Sequence, residues 1–150
     1  MADSSYAAAL KLLARRELSV EGLRARLRDR EYSEQDISAA IERLLDAGSL
    51  NDARVARAYA RTAATVKGRG RLRVIRELHA MGIDRATAAE AVAEVFGDVD
   101  ERSLIARAIQ KKLRGRSKPK DAAERARLYQ HLMRQGFSPA GIAHALRRLG

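Results

Sequence analysis

Three segments of the chain align without a gap: LRARLRDREYSEQDISAAIERL at 23–44, VIRELHAMGIDRATAAEAVAEV at 74–95 and LYQHLMRQGFSPAGIAHALRRL at 128–149. Their starts lie 51 and 54 residues apart. Leu23, Val74 and Leu128 open them, and Leu27, Leu78 and Leu132 follow four residues later. Tyr32, Ile83 and Phe137 share the next apolar slot, then Ile37, Ala88 and Ile142, then Ile41, Val92 and Leu146. A period of roughly fifty residues outranks local propensity: each unit is one supersecondary piece that must bury its apolar face against a neighbour.

Within each unit the pattern is helix, tight turn, helix. Apolar residues recur at intervals of three and four, as on one helix face. Gly82 and Gly136 stand where the first helix must stop and tolerate a left-handed backbone; Glu31 takes that place in the first unit and predicts a looser turn. Ser33, Asp84 and Ser138 are placed to cap the next helix, with Ser33 and Asp36 resembling a capping box and Pro139 suited to a first helical position.

A further helix is expected before each pair. Residues 6–17 carry Leu10, Leu13 and Ala14 on one face. Residues 52–64, starting at Asn51 or Asp52, carry Val55, Tyr59 and Thr62; residues 100–114 carry Leu104, Ile105, Ala108, Ile109 and Leu113. The fold class is therefore all-α: three tandem three-helix repeats at 1–47, 48–97 and 98–150. A unit of under ~50 residues is marginal alone, so stacking on neighbours predicts an elongated, curved rod.

Composition narrows the chemistry. The chain has no cysteine, hence no disulfide and no thiolate metal site. His79, His131 and His144 lack ligand spacing, and no nucleophile–base or paired-carboxylate setting is recognisable, so neither enzyme nor cofactor is expected. Asp98, Asp100 and Glu101 read as a linker ending in a helix cap. The start, MADSSYAAALKLLARRELS, is not built as a signal peptide, and no run of apolar residues is long enough to span a membrane. A cytoplasmic monomer is the expectation.

Charge carries the functional signal. The net charge is +11. From Arg54 to Arg76 there are eight basic residues and no acid, and from Arg102 to Lys120 the same again. The rest of the chain has 14 cations against 19 acids, so all the excess lies in two blocks. Solvated helix faces mix both signs; single-sign blocks point to an anionic partner. Arg54, Arg57 and Arg61 recur at helical spacing opposite Val55, Tyr59 and Thr62. Arg69, Arg73 and Arg76 do so on the following helix, and Arg107, Lys111 and Arg114 in the third unit. The turn Lys67–Gly68–Arg69–Gly70 offers backbone N–H groups and close access, either as a phosphate cradle or as a plain flexible turn.

Helix–turn–helix geometry suggests reading of a DNA groove, but the last helices of the first two units carry Glu34, Asp36, Glu42, Glu90 and Glu94, which phosphate would repel. Base stacking needs aromatic platforms among the cations, whereas Tyr32, Tyr59 and Phe137 fall at core positions. Sequence-independent contact with a phosphate backbone fits better.

The residues resemble a known family, the RecX regulatory proteins, across almost the whole chain. The likeness lies in ALKLLARRELSVEGLRARL, LNDARVARAYART, KGRGRLRVIRELHAMGI and LMRQGFSPAGIAHAL. Gly22, Val55, Arg71 and Met81 depart from the pattern usual in that family. The resemblance implies a non-enzymatic regulator lodged in the groove of the RecA–single-stranded-DNA filament, serving recombinational repair and the SOS response. It would inhibit ATP hydrolysis, strand exchange and co-protease activity, with the backbone of single- or double-stranded DNA as a second contact. The candidate filament- or DNA-binding residues are Arg54, Arg57, Arg61, Lys67, Arg69, Arg71, Arg73, Arg76, Arg107, Lys111, Lys112 and Arg114. Reversing Arg69, Arg73 and Arg76 to Glu is expected to abolish inhibition and leave the fold intact. The rival reading is a DNA-binding helical module that acts without RecA.

Overall fold

The computed structural model describes residues 4–150. Among them the chain forms nine helices and no strand. These are α1 (Ser5–Arg15), α2 (Val20–Asp29), α3 (Glu34–Asp46), α4 (Asp52–Thr65), α5 (Arg71–Ala80), α6 (Arg85–Gly97), α7 (Glu101–Leu113), α8 (Ala122–Gln135) and α9 (Pro139–Arg148). The three expected caps are formed. The Ser33 and Ser138 hydroxyls each accept a backbone N–H at 3.1 Å, from Asp36 and Gly141, and the Asp84 carboxylate accepts that of Thr87 at 2.9 Å. Asn51 caps α4 in the same way, accepting from Arg54 N–H at 3.0 Å. Asp100 caps α7, as the linker reading expected.

The repeat's apolar slots are the core. Fourteen of the fifteen aligned positions are buried; Tyr32 is half-buried. Two of the preceding helices turn a different face inward than their leucines and tyrosine suggested. α1 buries Ala8, Ala9 and Leu12, leaving Leu10 and Ala14 exposed. α4 buries Val55, Ala56, Ala60, Ala63 and Ala64, with Tyr59 half-buried and Thr62 exposed. In both, alanine lets the helix approach its neighbours closely, and larger side chains are displaced to the rim. Pattern reading follows the bulkiest apolar residues and so misplaces the face by part of a turn.

The chain divides into two compact units, one running through Ala56 and including Leu78–Ala88, the other made of Arg57–Glu77 and Ala89–Gly150. In the first, α1, α2 and α3 pack around Leu23, Leu27, Ile37, Ile41 and Leu44. In the second, α7, α8 and α9 pack around Ile105, Ile109, Leu132, Phe137 and Ile142.

One device recurs in both units. A helix leaves its first N–H groups and last carbonyls without intrahelical partners. In the second unit the start of α5 meets the end of α8: Gly70 N–H donates to Gln135 O at 2.7 Å, and Leu72 N–H to Gly136 O at 3.0 Å. In the first unit the Ser19 hydroxyl, at the start of α2, donates to Met81 O at the end of α5, at 2.7 Å. Ser19 and Gly70 are 51 residues apart, the repeat offset itself. Each joint sets the positive end of one helix dipole on the negative end of another.

The joints explain the glycines. A Cβ at Gly70 would lie 2.4–2.6 Å from the backbone of Gly136 and Phe137, and one at Gly82 would lie 2.4 Å from Glu21 Cβ. Glu31 adopts the same left-handed conformation, φ 66°, and closes the same pair of turn hydrogen bonds, Glu31 N–H to Arg28 O and Tyr32 N–H to Leu27 O. The looser turn expected there is not formed. Glycine is required in the second and third repeats because a neighbouring helix presses on the turn; Glu31 is exposed, and its side chain has room.

Gly70→Ala is therefore expected to cost about 1–3 kcal/mol or more by overpacking. Gly48→Ala, at φ +76° with nothing within 4 Å, should cost only the left-handed penalty of about 1 kcal/mol. Glu31→Gly should gain a similar amount by removing that penalty. Urea denaturation of the three variants gives the ranking; a Gly70→Ala protein as stable as Gly48→Ala would contradict the joint.

Candidate polyanion interface

The first cation run does not stay together as a set of free charges. The Arg54 guanidinium pairs with Glu17 and donates to Gly48 O at 3.0 Å and Ser49 O at 3.2 Å, which pins the α3–α4 loop. Arg57 lies 4.0 Å from Glu94. Arg69 donates to Glu77 at 2.7 Å and to the Tyr59 hydroxyl at 3.4 Å; Arg73 lies 3.8 Å from Glu77 and donates to Gln135 Oε1 at 3.4 Å. Arg73 thus links α5 to the end of α8, and Arg69 ties the turn before α5 to α4 and to Glu77. Reversing them would set new carboxylates against Glu77, so that substitution no longer counts as neutral to the fold. Among the described residues, Arg61, Lys67, Arg71 and Arg76 are exposed and have no carboxylate within ion-pair distance.

The Lys67–Gly70 turn is tied into the protein rather than loose. Lys67 N–H donates to Thr62 O, Arg69 N–H to Ala63 O and Gly70 N–H to Gln135 O. These donors are spent within the protein, and the close approach that Gly70 permits is made by the end of α8 rather than by a phosphate.

The second run behaves differently. Within the second unit, α7, α8, the turn after α7 and Lys67–Gly68 enclose a cleft of about 1150 Å³. Lys67, Arg107, Lys111, Lys112 and Arg114, five of the twelve residues singled out in the sequence, line it. Arg116, Arg127 and Arg134 join them, and His131 lies between the last two on α8. One carboxylate, Glu124, lines the cleft, and Arg116 already grips it through both oxygens at 2.8 and 2.9 Å. Arg114 is not part of a helical stripe as expected: α7 ends at Leu113, and Arg114 turns the chain at φ 52°. It reaches the cleft from that turn.

Arg127, His131 and Arg134 escaped the sequence reading for a simple reason. They recur at four and three on α8, opposite to nothing unusual, but Asp121 and Glu124 interrupt the acid-free run just before them. Helical spacing would have found them where run-counting did not.

The cleft's chemistry follows from its lining. No Phe, Tyr or Trp takes part, so the larger stacking platforms for a base are missing, and the one aromatic ring in the lining is the His131 imidazole. The clustered cations repel one another, by a few tenths of a kcal/mol per like pair at helical spacing, until an anion enters. Burial, then Lys112, Arg134, Arg73 and Lys111, hold the His131 imidazole below the usual histidine value. The arrangement suits a phosphate chain held through its backbone.

The Arg116 guanidinium, then the Lys120 N–H, hold the Glu124 carboxyl down to about 2. A folded value below the unfolded one means that the pair's contribution is complete above about 4.5 and is lost as pH falls through about 2. In Arg116→Gln the Glu124 carboxyl is expected to titrate markedly higher, which carboxyl-carbon NMR would follow; an unmoved titration would contradict the pairing.

Comparison with known proteins agrees with this architecture. Three family models match in order: RecX first three-helix domain at residues 6–44, second at 51–92 and third at 100–146. The regulatory protein RecX of Pelodictyon phaeoclathratiforme is 32% identical over 141 residues, covering 94% of this chain and 86% of the relative. That of Vibrio parahaemolyticus is 35% identical over 143 residues, covering 95% and 90%. The crystal structure of RecX from Lactobacillus salivarius superposes with a TM-score of 0.81 at 25% identity, covering 97% of this chain and 94% of its own. The chain, an all-α three-domain repeat protein, belongs to the RecX family of regulatory proteins.

Proposed function

We propose that the protein is a non-enzymatic regulator of the RecA recombinase, working in the cytoplasm as a monomer on the RecA–single-stranded-DNA filament. Docked there, it inhibits ATP hydrolysis, strand exchange and co-protease activity. Its repeats are 1–47, 48–97 and 98–150. The observation that carries the reading is the cleft of the second unit: eight cations and one carboxylate, already engaged, in a chain whose relatives are named regulatory proteins. A nucleoprotein filament offers what such a cleft lacks, phosphates and acidic side chains at close spacing. The contact set divides by what each cation already touches. Among the described residues, Arg61, Lys67, Arg71, Arg76, Arg107, Lys111, Lys112 and Arg114 are exposed without a carboxylate in ion-pair distance, whereas Arg54, Arg57, Arg69 and Arg73 each have one.

A second reading is favoured by the absence of Phe, Tyr and Trp from the cleft: sequence-independent binding of a DNA backbone without RecA. It predicts affinity for naked DNA that falls steeply with salt, with a slope of about −0.7 per phosphate contacted on single strands.

An ATPase assay with the cognate recombinase on single-stranded DNA separates these. The double reversal Lys111→Glu with Arg134→Glu should raise the half-inhibitory concentration at least about tenfold, equal to about 1.4 kcal/mol, with an unchanged melting temperature. Full inhibition by that folded variant would move the interface off the cleft. No inhibition by the unaltered protein, with salt-sensitive DNA binding retained, would favour the second reading.

A further inference from the structure

His131 sits on the exposed side of α8 within the cleft, between Arg127 one turn before and Arg134 one turn after. It is half-buried, and among the described residues neither ring nitrogen has a hydrogen-bond partner in the protein. Lys112 and Lys111 come from α7, and Arg73, itself 3.8 Å from Glu77, comes from α5; Lys67 of the α4–α5 turn lines the same cleft. The acid that shares the cleft, Glu124, is neutralised by Arg116. Burial and these cations disfavour the charged form of an imidazole so placed, and it opens onto the space that the anion would fill.

We propose that occupation of this cleft by a phosphate chain is coupled to uptake of one proton by His131, which then donates through both ring nitrogens to phosphate oxygens. The inference rests on reading the cleft as a phosphate site and adds a regulation to it. A phosphate chain offsets the charge of Lys111, Lys112 and Arg134 and supplies acceptors, both of which favour the imidazolium. The sign follows. Binding raises the His131 value, so affinity increases as pH falls through the neutral range and levels off once the free imidazole is itself protonated. Because phosphate, not base, provides the acceptors, the coupling is indifferent to nucleotide sequence and extends to a phosphate chain without bases.

Fluorescence-anisotropy titration with labelled single-stranded oligothymidylate, at about pH 6 and about pH 8 on either side of the ordinary histidine value, tests the coupling. Inorganic polyphosphate as competitor supplies the arm without bases. For the unaltered protein the affinity should be roughly three- to tenfold tighter at the lower pH, within the limit of about tenfold per pH unit for one proton. The gain should be shared by both ligands and absent in His131→Gln. Proton NMR of the His131 ring, free and oligothymidylate-bound, should show its titration moving upward on binding. A pH dependence that survives in His131→Gln, or a ring titration that binding leaves in place, overturns the coupling but not the phosphate site. A pH gain seen with oligothymidylate and lost with polyphosphate overturns the base-indifferent coupling. No binding of either ligand overturns the phosphate site, and the coupling with it.

Discussion

Helix ends that satisfy one another govern this molecule. The terminal carbonyls of α8 and the first N–H groups of α5 are each without partners in their own helix, and each is the other's remedy. Two hydrogen bonds of 2.7 and 3.0 Å close the joint, and the approach has no room for a Cβ: one at Gly70 would lie 2.4–2.6 Å from the Gly136 and Phe137 backbone, and one at Gly136 would lie 2.4 Å from Arg73 N. An equivalent joint, made through the Ser19 hydroxyl and Met81 O, serves the first unit. Three-helix modules too small to be stable alone gain from such contacts both buried surface and end-to-end dipole alignment.

The joint also sorts the charges. Arg69 and Arg73 stand beside it, and Glu77 holds them there with half-enclosed ion pairs. Arg54 similarly fastens the α3–α4 loop by two backbone carbonyls and Glu17. These arginines are cationic in the sequence and structural in the fold. The cations left over along α7 and α8 face a shared cleft with no comparable supply of acid. Charge balance inside the protein therefore decides which part of a basic chain remains available to an external anion. A crowded run in the primary structure is a poor guide to that division, because a partner such as Glu77 or Glu17 can come from elsewhere in the chain.

Membership of the RecX family gives the cleft a biological setting, and the cleft gives the family likeness a physical focus. A lining rich in guanidinium and ammonium groups and without Phe, Tyr or Trp is suited to a phosphate backbone rather than to the bases it carries. On the function proposed above, such indifference would suit a target assembled on any nucleotide sequence.

The amino-acid sequence alone determined the all-helical repeat, its period, its caps at Ser33, Asp84 and Ser138, and fourteen of fifteen core slots, because spacing and capping are local physics written in neighbouring residues. It also located the two blocks of surplus charge. Tertiary structure decided which faces of α1 and α4 turn inward, since alanine's advantage is close approach and that exists only against a neighbour. It decided that the Gly68–Gly70 turn serves α8, that Glu31 shares the glycines' conformation, and that Arg127, His131 and Arg134 complete a cleft with α7. Except for the Glu31 turn, which is local, these depend on residues about fifty or more positions apart, or on separate helices, meeting at distances of a few ångströms, and no local pattern encodes such a distance.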